Sequence, residues 1–328
     1  DNYLSYYAME IYIGNKDWPY NNVRAWRYLA DDGVYTEGTV FDGRYRYLFF
    51  DTDYGFGLTD DVPGYACEED NIAVLLNNYQ SPLFCSLMAR EDCREKFTTF
   101  VCDLMNGSFS SESVAETVQE LTLLRDPELS FYVENHLPGI ADMDTVNAET
   151  ASILAFANAR PGYMHTFLQR DYALFYPYFL HLEIPAGAGV SVNSITDTGN
   201  GFSGIYYADN ALTLKASSDE GHCFSYWLKN GMPYTEKELT LSSDALKELL
   251  GIPAQDMQDF IPPENFGTPG YAESENNPRL EISLVVADRT DAVPVISRIR
   301  ARGTDDLVEI ANPSEHDVSL KGDIVFRR

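Results

Sequence analysis

The chain has 328 residues and a mass of 36.9 kDa, which is enough for about two domains of ordinary size. Hydrophobic residues make up 45% and charged residues 23%, and the 22 Tyr and 18 Phe exclude an intrinsically disordered chain. No apolar run approaches the ~20 residues of a membrane-spanning helix, and a net charge of −28 repels phosphate backbones, which argues against a nucleic-acid-binding protein.

The ends and the cysteines of the chain indicate its context. The sequence begins with Asp1, shows no signal peptide and keeps a strand-like pattern over residues 323–328, so we expect a fragment of a longer protein. Its five cysteines cannot all pair with one another inside the chain. Cys85, Cys93 and Cys102 fall in a helical pattern, which favours buried structural thiols over metal ligands.

The first sixty residues predict a short helical segment and a hairpin. Residues 2–14 have a helical pattern at first and then a strand-like one. Two alternating runs, residues 23–29 and 44–50, flank an acidic loop, which predicts a β-hairpin. The second run leads directly into Asp51-Thr52-Asp53-Tyr54-Gly55.

The middle of the chain predicts helices from about residue 71 to residue 169. Val114, Val118, Leu121 and Leu124 recur at helical spacing behind an N-cap at Ser110. A further helix is predicted over residues 147–159, ended by the proline and glycine that follow Arg160.

Beyond residue 172 the pattern predicts β-structure. Glycine and proline separate short strands at 190–193, 212–216 and 221–228, followed by a short helix at 243–250, an irregular connector at 251–278 and strands at 280–287 and 293–301. The fold class is therefore α+β. The expected domains are residues 1–175, 176–245, 246–290 (a connector with a strand) and 291–328.

Acidic and amide side chains in the first sixty residues have the spacing of a phosphoryl-transfer site. Asn22 follows Asp17 by five residues, the spacing of the kinase catalytic loop Asp-x-x-x-x-Asn, and Asp53-Tyr54-Gly55 stands where Asp-Phe-Gly would follow a strand. Such oxygens hold Mg²⁺ against nucleotide phosphates. Each motif alone also suits an ordinary turn, but their order and the strand between them favour the kinase interpretation.

These residues carry a resemblance to a known family. Residues 6–8, 13–22, 26–27, 47–57 and 156–161 resemble the CotH kinase family, secreted or spore-coat bacterial proteins with an atypical protein-kinase fold. The resemblance implies that Asp17 is the catalytic aspartate, Asn22 a metal ligand, and Asp51 or Asp53 the metal-binding aspartate after the strand. It also implies ATP and Mg²⁺ or Mn²⁺ as cofactors, a protein hydroxyl as acceptor, and a place outside the cell or on its surface.

The arginines near this site leave two interpretations open. Arg24, Arg27, Arg44 and Arg46 could all stabilise phosphate charge, with Arg24 and Arg27 the candidates for binding the nucleotide. On alternating strands all four can equally be exposed partners of the neighbouring carboxylates.

The later segments resemble accessory modules. Residues 202–241 resemble a small β-grasp-type surface repeat, and residues 306–322 are similar to the start of a lamin-tail domain, an immunoglobulin-like sandwich. The expected architecture is a kinase-like C-terminal lobe, made of a β-hairpin and mainly helices, followed by small β-rich domains, the last a truncated immunoglobulin-like sandwich.

The resemblance leads to two expected functions. The first is the C-terminal part of a CotH-type kinase that transfers phosphoryl groups from ATP; without an upstream lobe carrying a nucleotide-covering loop and a strand lysine, we expect this chain to have little activity alone. The second is a non-catalytic surface adhesion or scaffold protein with a relic kinase-like lobe. The protein substrate or surface partner is not identified by the sequence.

Overall fold

The computed structural model describes residues 1–57, 65–77, 81–139, 142–229, 231–253, 263–288, 295–300 and 307–311. The chain forms two compact units, one made of Asp1–Phe175 and Ile261–Glu275 and the other of Tyr176–Phe260 and Asn276–Arg328. Helices and several sheets are both present, so the chain is α+β, as the sequence predicts.

The first unit is mainly helical. Its described elements are α1 (Asn2–Ile13), β1 (Ala25–Trp26), β2 (Arg46–Tyr47), a 3₁₀ turn (Tyr65–Glu68), α2 (Asn71–Leu76), α3 (Pro82–Met88), α4 (Glu91–Asn106), α5 (Ser111–His136) and α6 (Met143–Tyr172). The predicted helical block is confirmed, and so is the N-cap at Ser110, whose Oγ accepts the Ser113 N–H. The predicted hairpin is confirmed too, although β1 and β2 have two residues each.

Helix α1 differs from its prediction, since residues 2–13 form one helix rather than a helix followed by a strand. Its last residues, Ile11, Tyr12 and Ile13, are almost fully buried. Branched and aromatic residues prefer strands only weakly, and burial of the whole helical turn outweighs that preference. Gly14 then ends the helix with φ 66°, a left-handed conformation that glycine adopts at little cost.

Helix α6 was predicted to end near residue 159, and that prediction is wrong. The helix continues through Pro161 to Tyr172. Proline lacks the N–H that would bond to the carbonyl of Ala157, four residues earlier. The hydroxyl of Ser111 donates to that carbonyl oxygen instead, at 2.9 Å, so a side chain of α5 supplies the hydrogen bond that proline removes.

The cysteines follow their prediction in part. Cys102 is buried, and burial raises the pKa of its thiol, whereas Cys85 and Cys93 are only half-buried. Cys85 donates to the carbonyl of Leu75.

The second unit consists mainly of strands. Its described elements are β3 (Pro177–Glu183), β4 (Ala188–Val192), β5 (Gly201–Tyr207), β6 (Leu212–Ser218), β7 (His222–Lys229), β8 (Met232–Tyr234), β9 (Glu238–Leu241), α7 (Ser243–Leu249), β10 (Arg279–Asp288), β11 (Val295–Arg300) and β12 (Leu307–Ala311). One sheet has the order β5-β3-β10-β7-β8 and another the order β4-β6-β9. β10 confirms the strand predicted over residues 280–287, and it pairs parallel with β3 and antiparallel with β7 at the middle of the larger sheet.

The accessory modules stay predictions. The β-grasp-type repeat falls on β5 to β9, and β11 and β12 form an antiparallel pair, but residues 312–322 of the lamin-tail resemblance lie outside the described residues. Among the helices that the structure describes, none combines the length and apolar character needed to cross a membrane.

Candidate functional site

The loop after α1 holds the predicted catalytic aspartate between two asparagines. The Nδ2 of Asn21 donates to Asp17 Oδ1 at 2.6 Å, and the Nδ2 of Asn22 donates to Asp17 Oδ2 at 2.8 Å. The Asn21 backbone N–H also bonds to the Asp17 carbonyl, at 2.9 Å. The spacing that predicted a catalytic loop thus corresponds to direct contact, with Asp17 half-buried and both its oxygens hydrogen-bonded.

The acidic turn after β2 lies against this loop. The Lys16 N–H donates to the Tyr54 carbonyl at 3.2 Å, and the Phe56 N–H donates to the Ile13 carbonyl at 2.8 Å. Gly55 is buried at the contact, where a Cβ would come within 2.9 Å of Ile13 Cδ1. Two motifs some thirty residues apart in sequence are therefore neighbours, and glycine is required where they meet.

The predicted metal ligands have side chains of the right chemistry. Asp51 and Asp53 are exposed, and both Asn22 and Asp51 have left-handed backbones, with φ of 56° and 55°. Because the amide nitrogen of Asn22 bonds to Asp17, its amide oxygen is the atom suited to a cation. Carboxylate and amide oxygens fit Mg²⁺ or Mn²⁺. However, no group of three or more His, Cys, Asp or Glu side chains that could hold a metal ion occurs among the described residues.

The hairpin separates the four arginines into two pairs. The Arg24 guanidinium lies 4.8 Å from the centre of the Phe50 ring, and that of Arg27 lies 5.0 Å from the centre of the Tyr45 ring. Both arginines are exposed, and neither forms an ion pair with a carboxylate of the described residues. Their guanidinium groups thus keep their hydrogen-bond donors available for an anion such as phosphate.

Arg44 and Arg46, in contrast, form ion pairs with carboxylates of the hairpin loop. Arg46 makes a two-pronged contact with Asp42 at 2.8 and 3.0 Å, and Arg44 bonds to Glu37 at 3.3 Å. The hydrogen bonds from Arg46 lower the pKa of Asp42 to about 2. These two arginines hold the hairpin loop together.

Arg160 fixes the end of α1 from behind the site. Its buried guanidinium donates to the carbonyl oxygens of Ile11 and Tyr12 at 2.8 and 2.9 Å, and to those of Cys67 and Glu69 at 2.8 Å each. The last carbonyls of a helix have no partner within the helix and carry partial negative charge, which a buried cation satisfies. Burial lowers the pKa of Arg160 to about 10, which keeps it charged at neutral pH.

A buried acid is linked to the Asp17 loop by hydrogen bonds. Glu10 of α1 is 1% exposed, and its Oε2 accepts the Asn15 Nδ2 at 3.0 Å. Asn15 Oδ1 in turn accepts the Asp17 backbone N–H at 3.1 Å. Burial raises the pKa of Glu10 to about 7, while the contacts with Asn15 and Tyr6 act in the opposite direction. The indole of buried Trp18 donates to the Tyr6 hydroxyl at 2.7 Å.

The sequence interpretation did not assign roles to these supporting residues. Arg160 belongs to the segment that carries the family resemblance, but it was interpreted only as part of a helix end. Glu10 had a recognisable signal, because an acid flanked by Ala8, Met9 and Ile11 in an aromatic-rich helix is out of place on a buried face.

Comparison with known proteins identifies a family for the first unit. Residues 1–164 match the family model described as CotH kinase protein, which covers half of the chain, so the chain belongs to the CotH kinase protein family. No curated protein and no solved structure matches it.

Proposed function

We propose that the first unit carries the catalytic-loop side of an ATP-dependent phosphoryl-transfer site acting on a protein hydroxyl. The observation that supports this most is the pair of backbone hydrogen bonds, Lys16 to Tyr54 and Phe56 to Ile13, which bring the Asp17 loop beside the acidic turn. A phosphoryl-transfer site needs these two segments together, because one orients the acceptor and the other holds the cation.

Asp17 is the proposed catalytic residue. Its carboxylate orients the acceptor hydroxyl and takes its proton as the phosphoryl group is transferred. Hydrogen bonds from Asn21 and Asn22 hold both carboxylate oxygens in place before the acceptor arrives. Such preorganisation provides much of the rate in phosphoryl transfer, where the protein makes little covalent contribution.

Asn22 and one of Asp51 and Asp53 are the proposed ligands of Mg²⁺ or Mn²⁺. When bound, the cation neutralises charge on the nucleotide phosphates. Arg24 and Arg27 are proposed to donate hydrogen bonds to those phosphates, since no described carboxylate occupies them. Asp51 ends the strand and Asp53 precedes Tyr54-Gly55, so the choice between them is left to experiment.

Calorimetric titration of the chain with Mn²⁺ and with Mg²⁺·ATP tests the proposal. We expect binding in the wild type, and affinity at least about tenfold weaker in Asn22→Ala and in one of Asp51→Ala and Asp53→Ala, as is usual when support for a metal site is removed. The aspartate whose replacement weakens the affinity more is then identified as the metal ligand. Asp31→Ala, which removes an exposed acid of the hairpin loop, should bind like the wild type.

Two results would contradict the proposal. One is a wild type that binds neither Mn²⁺ nor Mg²⁺·ATP. The other is unchanged affinity in all three ligand variants, which would make the acidic turn an ordinary part of the surface.

The exposed apolar side chains of the hairpin favour a second candidate function, binding to another molecule. Hairpin residues 23–49 expose many large apolar side chains, namely Val23, Trp26, Tyr28, Leu29, Val34, Tyr35, Val40, Phe41, Tyr45, Leu48 and Phe49. Apolar patches of this kind commonly mark interaction surfaces, which suits an adhesion or scaffold protein at the cell surface. Fractionation of the native cells tests the extracellular location that both proposals share, and a wholly intracellular protein would contradict it.

A further inference from the structure

The underside of the Asp17 loop contains a chain of hydrogen bonds that begins at a buried acid. Glu10 Oε2 accepts from Asn15 Nδ2 at 3.0 Å, and Asn15 Oδ1 accepts from the Asp17 N–H at 3.1 Å. On the other side of the loop, Asn21 and Asn22 bond to the Asp17 carboxylate. Asp17 is thus held through its side chain from one side and through its backbone from the other.

The orientation of the Asn15 amide depends on the ionisation state of Glu10. An ionised carboxylate only accepts hydrogen bonds, so it turns the NH₂ of Asn15 toward itself and leaves Oδ1 for Asp17. A protonated carboxyl also donates, and the acceptor it would seek on Asn15 is the same Oδ1. Asn15 Oδ1 is therefore available to the Asp17 N–H when Glu10 is ionised, whereas a protonated Glu10 competes for the same oxygen.

The surroundings of Glu10 make it able to change ionisation state near neutral pH. It lines a cavity of about 40 Å³ together with Asn15 and Tyr20 of the loop and Asn71, Val74 and Leu75 of α2. Glu10 Oε1 has no hydrogen-bond partner among the described residues, and the pKa of Glu10 is raised to about 7 by burial.

Other ionisable groups lie on the elements packed around Glu10. Burial raises the pKa of Tyr6, which is on the same helix, and Tyr20 of the loop lines the same cavity. The residues of α2 that line the cavity are uncharged. Helix α4 also packs on α1 and carries the buried Asp103, which is not among the groups that shift the pKa of Glu10.

We propose that Glu10 and Asn15 are positioning residues for the Asp17 loop, and that the loop takes its ligand-competent form when Glu10 is ionised. This inference rests on the proposed function. At pH 6 only about a tenth of a carboxyl with pKa about 7 is ionised, so the apparent affinity for Mg²⁺·ATP should fall by up to about tenfold between pH 8 and pH 6.

Nuclear magnetic resonance of the full chain tests the link without requiring any ligand. The ¹⁵N–¹H signal of the Asp17 backbone amide should shift with pH with a midpoint near 7 in the wild type. The shift should disappear in Glu10→Gln, which keeps the side-chain shape, and in Asn15→Ala, which removes the link. Glu273→Gln is the matched control, because Glu273 also has a pKa raised by burial and no residue of the loop is among the groups that shift it.

Calorimetry with Mg²⁺·ATP from pH 5.5 to pH 8.5 supplies the second measurement. The pH dependence of affinity should be lost in Glu10→Gln and kept in Glu273→Gln; titration of the ATP phosphates is common to all variants and cancels. An Asp17 amide that titrates unchanged in Glu10→Gln or in Asn15→Ala would overturn the inference. If Mg²⁺·ATP binds at no pH, the proposed function fails, while the amide titration still decides whether Glu10 positions Asp17.

Discussion

Gly55 lies where the acidic turn meets the end of α1, and the contact leaves no room for a side chain. A Cβ there would lie 2.9 Å from Ile13 Cδ1 and 3.1 Å from the Thr52 carbonyl oxygen. We expect Gly55→Ala to lower the free energy of unfolding by about 1–3 kcal/mol, as overpacking does, and to weaken cation binding because the turn moves away from the Asp17 loop. Urea unfolding and calorimetry measure the two effects.

A second substitution shows whether the clash is the cause. Ile13→Val removes the Cδ1 atom and by itself should cost about 0.5–1.5 kcal/mol. If the clash is responsible, the double variant is more stable than the sum of the two single effects predicts. Simple additivity would mean that Gly55→Ala acts through the backbone alone.

Glu10 should also make stability depend on pH. Its pKa is about 7 in the folded chain and 4.5 ordinarily. Between those values the unfolded chain has lost the proton and the folded chain keeps it, so stability falls as pH rises. The wild type should therefore match Glu10→Gln near pH 4.5 and become less stable than it by roughly 3 kcal/mol at pH 8. Urea unfolding of both proteins at the two pH values checks this, and a constant difference would contradict it.

The contact between Asp17 and Asn22 could be predicted from sequence, but the contacts of Arg160 could not. Asp17 and Asn22 follow a spacing that a single loop imposes, so one segment of sequence contains the whole signal. The role of Arg160 depends on four carbonyl oxygens, the farthest 149 positions away in sequence. A partner that is defined by backbone atoms leaves no pattern in the side chains, and only folding reveals it.

At the scale of elements, α6 passes through a proline because another helix supplies the missing hydrogen bond. Ser111→Ala should cost about 1–2 kcal/mol of stability, since the buried Ala157 carbonyl would then have no donor. In a Pro161→Ala background the new N–H bonds to that carbonyl, so the same Ser111 substitution should cost much less. Urea unfolding of the four proteins gives the coupling free energy.

A control on the same helix separates this effect from general loss of a hydroxyl. The Ser152 hydroxyl donates to the Ala148 carbonyl oxygen. The residue four positions after Ala148 is Ser152 itself, which, unlike a proline, also has a backbone N–H for that carbonyl. Ser152→Ala should therefore change stability by only a few tenths of a kcal/mol in either background. A large effect there, or equal effects of Ser111→Ala with and without Pro161, would contradict the explanation.

The two helix predictions that failed did so for related reasons. A proline and glycine signal after Arg160 predicted an end to α6, and branched and aromatic residues predicted a strand after the start of α1. Both signals are local, and both were outweighed by contacts from elsewhere: the Ser111 hydroxyl in one case and burial of Ile11 to Ile13 in the other. In α4 the apolar pattern and the burial agree, since Phe97, Val101 and Met105 are buried. Helix α5 forms as its spacing predicts although Leu121 and Leu124 are exposed, so its pattern indicated the helix but not a buried face.

At the scale of the whole molecule, the charge imbalance opposes the folded state and attracts cations. With 51 acidic and 23 basic residues, 28 carboxylates have no one-to-one cationic partner. Their mutual repulsion is strongest in the compact state, and the same negative field raises the local concentration of divalent cations. Salt screens both effects, over a Debye length of about 30 Å at 0.01 M and about 8 Å at 0.15 M.

Added salt should therefore move stability and cation affinity in opposite directions. Raising NaCl from 0.01 M to 0.15 M should increase the melting temperature, because repulsion between carboxylates is screened, and should weaken Mn²⁺ binding, because attraction to the same charges is screened. Tetramethylammonium chloride at equal ionic strength should give the same changes, since a cation too large for a carboxylate site can screen but cannot compete for ligands. A melting temperature that falls with salt would show that ion pairs such as that of Arg46 with Asp42 contribute more to stability than the unpaired carboxylates take away.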